Sequence, residues 1–227
     1  MFQENLKNLS SKRIKKNNIA KIAKKIIKRM LIVMSDASGG LKYSIYGAVA
    51  YLRYTYEDKT FGWILVAASS KVAADNITIV VKELKGIKLA SELGKRVGVA
   101  LDIDSEDIFY YTDNTIVSDQ VSGSREKGVS EMSRGFGNLI AKVANEIPEG
   151  HLKFVPSQFN SADNLTREKT VQEVFDENST WFKPHKNFNQ DGEVLGDGLQ
   201  EKSKDENYAD YLLTSISPLK HISRKSR

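Results

Sequence analysis

The sequence predicts an α/β domain in which helices cover a mixed five-stranded sheet, with the element order β-β-β-α-β-α-β-α. Three strand patterns follow one another first, and helical and strand patterns alternate after them. Successive strands begin a sheet as an antiparallel meander, and the later alternation adds helices to its faces. With 227 residues, 40% of them apolar, the chain is long enough for one domain of ordinary size with extensions.

The three early strands are predicted at residues 31–35, 46–56 and 61–68, where apolar runs or alternating aromatic and β-branched residues occur. Residues 57–60 between the second and third runs suit a hairpin turn. A helical period follows over residues 78–98. Its predicted core positions are Val81, Leu84, Ile87, Leu89 and Leu93.

The second half of the domain alternates between strands and helices. A short apolar run at 108–112 is typical of a buried strand, and short and longer helices are predicted at 115–121 and 130–147. Pro148 and Gly150 end the longer helix. A last strand is predicted at 151–155 and a final helix at 162–178.

Both ends of the chain differ from this domain in composition. Residues 1–30 hold ten Lys or Arg against Glu4 alone, an excess of nine positive charges, although the whole chain carries +5. A helical apolar stripe over residues 12–30 predicts a basic amphipathic arm, which suits either a polyanionic partner or a solvated leader. The domain itself is expected at 31–185, and residues 186–227 are expected to be a polar, mostly disordered tail.

Several classes of protein are excluded. Cysteine is absent, which rules out disulfides, thiol catalysis and cysteine-ligated zinc. No apolar run approaches the ~20 residues that span a bilayer, and no apolar segment of a secretory signal follows the basic N-terminus. We therefore expect an intracellular protein with no membrane partner, located in the cytoplasm or in a virus-like particle and not secreted.

Four acidic residues stand where elements of the predicted sheet begin or end. Asp36 and Asp113 follow strand patterns, Glu83 lies near the start of the first helix, and Asp163 follows the loop after the last strand. Each alone suits another role: Asp113 or Asp163 as a helix cap, Glu83 as a solvated helix residue. Carboxylates on such termini can converge at one edge of a sheet, where divalent ions would make them a phosphoryl-transfer site.

The sequence around these acidic residues resembles the ribonuclease H-like domain of BEL/Pao-type LTR retrotransposon polyproteins. The matching stretches cover residues 34–38, 46–53, 68–73, 78–79, 83–84, 111–117, 154–157 and 160–167, with Trp181 and Pro184 beyond them. The most specific of these is Tyr-Thr-Asp-Asn-Thr-Ile-Val at 111–117, and the likeness extends over roughly residues 31–188. The departures are Val80-Val81-Lys82 where the family usually has Pro-Arg-Leu, and Lys153-Phe154 before the last motif.

This resemblance implies a ribonuclease H-like fold and metal-dependent cleavage of the RNA strand of an RNA/DNA hybrid, as part of a reverse transcriptase. It implies two Mg²⁺ (or Mn²⁺) ions bound by the quartet Asp36, Glu83, Asp113 and Asp163. Ser38, Asn114, Asn164 and Arg167 lie beside these residues and are candidates for contacts with phosphate or sugar. Lys71 and Lys82 are candidates for contacts with backbone phosphates, and a solvated surface position is the alternative for each. Neighbouring polymerase or integrase domains of a polyprotein are further candidate partners.

Two rival functions remain from the sequence. The domain can have lost its activity and serve as an interaction domain, or it can be a nucleic-acid-binding module that acts through the basic arm. Metal-dependent cleavage of a hybrid distinguishes the enzyme from both.

Overall fold

The structure is a computed structural model that describes residues 25–39, 44–74, 76–127, 134–167, 169–174, 176 and 179–182. Its strands are β1 (Ile26–Ser38), β2 (Ile45–Tyr56), β3 (Phe61–Val72), β4 (Ile108–Thr112) and β5 (Leu152–Phe154). Its α-helices are α1 (Ile79–Leu101), α2 (Thr115–Lys127), α3 (Arg134–Glu146), α4 (Asp163–Thr166) and α5 (Val171–Val174). Short 3₁₀-helices lie at Ser105–Asp107 and Ser157–Phe159.

Within these residues, the five strands form one mixed sheet in the order β3-β2-β1-β4-β5. β1 pairs antiparallel with β2 and parallel with β4, and β4 pairs parallel with β5. The central position of β1 explains its sequence, because the run from Met30 to Met34 is buried on both faces. The parallel register ends with Ser35 beside Thr112, so the next residue of each strand segment is an aspartate, Asp36 and Asp113.

Helix α1 covers one face of the sheet. Thr78 caps its N-terminus by accepting a hydrogen bond from the Val81 backbone N–H at 3.4 Å. Leu84, Ile87 and Leu93 pack with Leu31 and Val33 of β1 in the larger core cluster. At Gly86 the helix lies so close to β1 that an added Cβ would stand 3.2 Å from the Asp36 carbonyl oxygen. The start of α1 therefore lies directly over the end of β1.

The opposite face of the sheet carries a second core cluster, which the segment after β5 covers. Ile32, Met34, Tyr51 and Tyr111 pack there against Val155 and Ala162, with Leu165 and Trp181 at the edge. The Tyr51 hydroxyl donates to the Trp181 carbonyl at 2.9 Å, and Asn160 donates to the Ser35 carbonyl at 2.9 Å. These contacts fix the segment that carries Asp163 against the end of β1.

Two predicted boundaries are wrong. Residues 26–30 belong to β1 and not to a helical arm, because the long β2 continues to pair with them, from Met30 opposite Arg53 to Ile26 opposite Tyr56. The final helix at 162–178 is interrupted, because Arg167 is extended and ends α4. Thr170 and Glu173 then form a reciprocal capping pair at the start of α5.

The other predicted elements are confirmed, with β4 at the predicted residues and the rest shifted by a few positions. The predicted tail at 186–227 and most of the predicted arm lie outside the described residues. Within the described part of the chain, no helix combines the length and apolar character that crossing a membrane requires.

Candidate metal centre

Asp36 lies at the centre of the site, near the end of the central strand. It is 5% exposed and pairs with Gly47 of β2 across the antiparallel ladder. The Thr166 hydroxyl at the end of α4 donates a hydrogen bond to Asp36 Oδ2. Three different elements therefore fix the Asp36 carboxylate: its own strand, the neighbouring strand and α4.

Asp113 follows β4 directly and is half-buried. The Asn114 backbone N–H donates to the Thr112 hydroxyl at 3.2 Å, and Asn114 Oδ1 accepts from the Val117 N–H at 3.1 Å. Asn114, and not Asp113, is therefore the residue that caps α2. The capping role that the sequence left open for Asp113 is taken by its neighbour.

Glu83 points from the second turn of α1 into the protein, and it is only 6% exposed. Among the described residues, its Oε2 atom has no hydrogen-bond partner. A solvated helix residue, the alternative that its sequence position allowed, would be exposed. Burial of an unpartnered carboxylate oxygen is costly unless a cation or a proton compensates for it.

The structure brings Asp36, Glu83 and Asp113 together. Each offers one carboxylate oxygen, and these three oxygens lie within 4.8 Å of one another. We call these three residues the acidic triad. Their arrangement follows from the parallel register of β1 and β4 and from the close approach of α1 at Gly86.

Burial and mutual repulsion make the acidic triad costly to ionise. Burial, and after it the charges of Asp36 and Asp113, raises the pKa of the Glu83 carboxyl from 4.5 to about 9. Hydrogen bonds with the Ala37 backbone and the Asn114 side chain act in the opposite direction. Burial is also the largest cause that raises the pKa of Asp36 from 3.8 to about 6, although the bond from Thr166 opposes it. A bound cation would remove this cost, so the donor set fits a divalent ion.

Asp163, the fourth predicted ligand, lies near the acidic triad and is engaged elsewhere. Its charge contributes to the raised pKa of Asp36. Asp163 Oδ1 forms an ion pair with Arg167 Nε, and Oδ2 lies 3.7 Å from Lys169 Nζ. Three of the four predicted carboxylates therefore form one cluster, and the fourth lies beside it with two basic partners.

The predicted substrate contacts have different environments. Ser38, at the end of β1, has a hydroxyl oxygen that lacks a hydrogen-bond partner among the described residues, and the Arg167 side chain is exposed. Asn164 is buried, donates to the Ser161 carbonyl at 3.0 Å and accepts from Lys169 Nζ at 2.7 Å. The amide of Asn164 therefore holds the segment around α4 in place.

Lys82, which the sequence suggested as a phosphate contact, is 6% exposed and donates to the Ser44 hydroxyl at 2.6 Å. Its buried position makes this expectation wrong. Lys71, the other lysine suggested for this role, is exposed at the end of β3.

Two features of the site were missed in the sequence. Gly47 allows α4 to approach β2, because an added Cβ would lie 2.9 Å from Leu165 Cβ. A glycine inside a strand pattern is a signal for such close contacts. Thr166, the hydrogen-bond donor to Asp36, carries no signal of its own, because only the fold brings residues 130 positions apart into contact.

The sheet order, the helix over the end of β1 and the clustered carboxylates define a ribonuclease H-like domain. A family model described as "Pao retrotransposon-like RNaseH-like domain" matches residues 1–114, half of the 227-residue chain. The chain therefore belongs to this family. The matched part includes Asp36, Glu83 and Asp113 and ends before Asp163.

The solved structures to which this chain is similar include several ribonucleases H. The N-terminal RNase H domain of Rv2228c from Mycobacterium tuberculosis is 17% identical, with a TM-score of 0.41, covering 61% of this chain and 91% of that one. RNase H1 from the archaeon Halobacterium salinarum is 13% identical, with a TM-score of 0.39, covering 60% and 92%. LC11-RNase H1 in complex with an RNA/DNA hybrid is 15% identical, with a TM-score of 0.39, covering 59% and 88%. No curated protein sequence matches.

Proposed function

We propose that this protein is a divalent-metal-dependent endoribonuclease that cleaves the RNA strand of RNA/DNA hybrids, as the ribonuclease H part of a retrotransposon reverse transcriptase. The observation that carries the proposal is the acidic triad, whose three oxygens lie within 4.8 Å of one another in a chain of this family. A purely structural role gives no reason to cluster three mutually repelling carboxylates, two of them buried.

The residues fit Mg²⁺ or Mn²⁺, which prefer carboxylate oxygen and water as ligands. Asp36, Glu83 and Asp113 would hold one ion, and Asp36 with Asp163 would hold a second. Bound ions lower the pKa of a coordinated water and stabilise the leaving oxygen of an in-line displacement. Glu83 Oε2, which has no hydrogen-bond partner among the described residues, is the carboxylate oxygen that a cation would compensate most.

The chain's own residues position the carboxylates. Thr166 orients Asp36 through a hydrogen bond, and the Asn114 side chain bonds to Glu83 while its oxygen caps α2. Because these contacts join α4 to β1 and the start of α2 to α1, the donor oxygens are held in place before any ligand binds, and little reorganisation is needed.

Recognition of the RNA strand would use the 2′-hydroxyl and groove shape and not base edges. Two of the predicted contact residues suit this role: the Ser38 hydroxyl lacks a hydrogen-bond partner within the described part of the chain, and the Arg167 side chain is exposed. The basic segment before β1 would add affinity for phosphate without sequence preference.

A hybrid with different labels on its RNA and DNA strands tests the proposal. The wild-type chain should cut the RNA strand in Mg²⁺ or Mn²⁺, leave the DNA strand intact and do nothing in EDTA. Asp36→Asn should lose cleavage, whereas Asp102→Asn should retain it. Asp102 is a matched control because it is an exposed aspartate at the end of α1, in a left-handed conformation that asparagine adopts well.

The alternative is an inactive domain that only binds nucleic acid or a partner. The pairing of Asp163 with Arg167 and Lys169 favours it, because this carboxylate already has counter-ions. Hybrid binding without cleavage in either metal would support this alternative and contradict the proposed enzyme.

A further inference from the structure

Asp163, the fourth carboxylate of the site, is paired with a basic side chain of the same chain. Arg167 ends α4, four residues after Asp163, and its Nε donates to Asp163 Oδ1. The opposite charges of Asp163, Asp36 and Asp113 all act on the Arg167 guanidinium. Arg167 therefore stands at the edge of the acidic cluster, on the side of Asp163.

The guanidinium is able to leave this position without disturbing the fold. The Arg167 side chain is 62% exposed, while that of Asp163 is 19% exposed. Exposed ion pairs contribute little to stability, so the cost of breaking this one is small. The backbone bond from the Arg167 N–H to the Asp163 carbonyl, at 3.1 Å, would persist when the side chain moves.

Lys169 also lies near Asp163 but has a different main contact. Its Nζ is 3.7 Å from Asp163 Oδ2 and 2.7 Å from Asn164 Oδ1. The nearer contact is with a neutral amide in the α4 segment. Lys169 therefore serves chiefly to fix that segment, and it provides a matched control for a loss of positive charge near Asp163.

We propose that Arg167 is an internal counter-ion of Asp163 that competes with a second divalent cation until a nucleic-acid phosphate takes over the guanidinium. The proposal rests on the function proposed above and adds a role for Arg167 that a simple phosphate contact does not include. In the free protein, the acidic triad binds a cation while Asp163 stays paired with Arg167. When a phosphate group binds Arg167, Asp163 is released to serve as a ligand.

Titration of the full chain with Mn²⁺ alone, without nucleic acid, tests the competition. Isothermal calorimetry should show one site in the wild-type protein. Arg167→Gln should raise the number of Mn²⁺ sites from one to two, because the substitution removes the ion pair that occupies Asp163 Oδ1. Arg167→Lys and Lys169→Gln should give isotherms like that of the wild-type protein, and thermal melts establish that each variant is folded.

The second measurement is the affinity for the RNA/DNA hybrid in the presence of Ca²⁺, which serves as the divalent cation during binding. Arg167→Gln should bind the hybrid several-fold more weakly, and Lys169→Gln should bind it nearly as well as the wild-type chain. Gain of a Mn²⁺ site together with loss of hybrid affinity supports the exchange. If Arg167→Gln leaves the Mn²⁺ isotherm unchanged in a chain whose triad binds Mn²⁺, the counter-ion role is wrong and the proposed function stands. If the wild-type chain binds no Mn²⁺, the proposed function fails, and the inference fails with it.

Discussion

Replacement of Glu83 by glutamine should stabilise the metal-free protein at neutral pH. Glu83 is 6% exposed and belongs to the acidic triad, and no described residue forms a hydrogen bond with its Oε2 atom. Glutamine has nearly the same shape and is neutral at every pH. The substitution therefore removes an ionisable group from a place where its charged form is disfavoured, with little change in packing.

The direction in which stability changes with pH follows from the direction of the pKa shift of Glu83. The folded-state pKa of Glu83 is raised from 4.5 to about 9, so the folded protein holds a proton that the unfolded chain releases. The associated stability is fully present below pH 4.5 and is lost as the pH rises towards about 9. Across this window the free energy of unfolding should fall by up to ~1.4 kcal/mol per pH unit.

The size of the gain in stability at pH 7 follows from the difference between this pH and the ordinary pKa of a glutamate side chain. Two and a half pH units above 4.5 correspond to about 3 kcal/mol if the whole shift is realised. Asp36 and Asp113 share the repulsion, and relaxation of the site reduces it further, so we expect a gain of about 1–3 kcal/mol for Glu83→Gln. Near pH 4.5 the two proteins should be almost equally stable.

Urea unfolding in EDTA at several pH values between 5 and 9, followed by tryptophan fluorescence, measures this gain. Glu92→Gln is the matched control, because Glu92 lies on the same helix with its side chain 45% exposed and paired with Lys88. Its pKa is lowered by the hydrogen bond from Lys88, so this variant should show no gain at high pH. Equal pH slopes for wild type and Glu83→Gln, or a less stable Glu83→Gln at pH 8, would refute the reasoning.

Three further outcomes are expected. Asp113→Asn should leave the fold intact and lose hybrid cleavage. In EDTA this variant should melt at a higher temperature than the wild-type protein, because the substitution removes repulsion from Asp36 and Glu83. Near-normal cleavage would show that Asp113 is not part of the metal site. Gly47→Ala should push Leu165 and the rest of α4 away from Asp36 and lower the free energy of unfolding by about 1–3 kcal/mol. Cleavage should fall strongly while the melting temperature falls only modestly. Unchanged cleavage would show that α4 does not position the site. Residues 1–24 precede β1 and carry an excess of six positive charges. Their deletion should weaken hybrid binding and reduce its salt dependence without slowing single-turnover cleavage. Equal binding by the two proteins at every salt concentration would show that the segment does not contribute to affinity.

The local pattern of the sequence was sufficient for the elements that bury one continuous apolar run or face. The buried strand β4 and the core positions of α1 at Leu84, Ile87, Leu89 and Leu93 were predicted because their residues repeat at the period of the element. The convergence of Asp36, Glu83 and Asp113 followed from their positions at element ends. Such ends are fixed by the fold class once the order of the elements is known.

Other features depended on contacts between distant residues. The helical period before Leu31 was overridden because β2 is long enough to pair with residues as early as Ile26. The bond from Thr166 to Asp36 and the burial of Lys82 depend on where α4 and the segment before β2 lie in three dimensions. The break between α4 and α5 is different, because the capping pair of Thr170 and Glu173 is local and was readable in the sequence.

The central claim is that the acidic triad is a divalent-metal site. The most direct measurement is an anomalous difference map from crystals soaked in Mn²⁺, with a crystal of Glu83→Gln soaked in parallel. The account predicts a peak within coordinating distance of Asp36, Glu83 and Asp113 in the wild-type protein, and a weaker or absent peak in the variant. Ordered carboxylates at this site without a peak, or the same peak in both proteins, would contradict the claim.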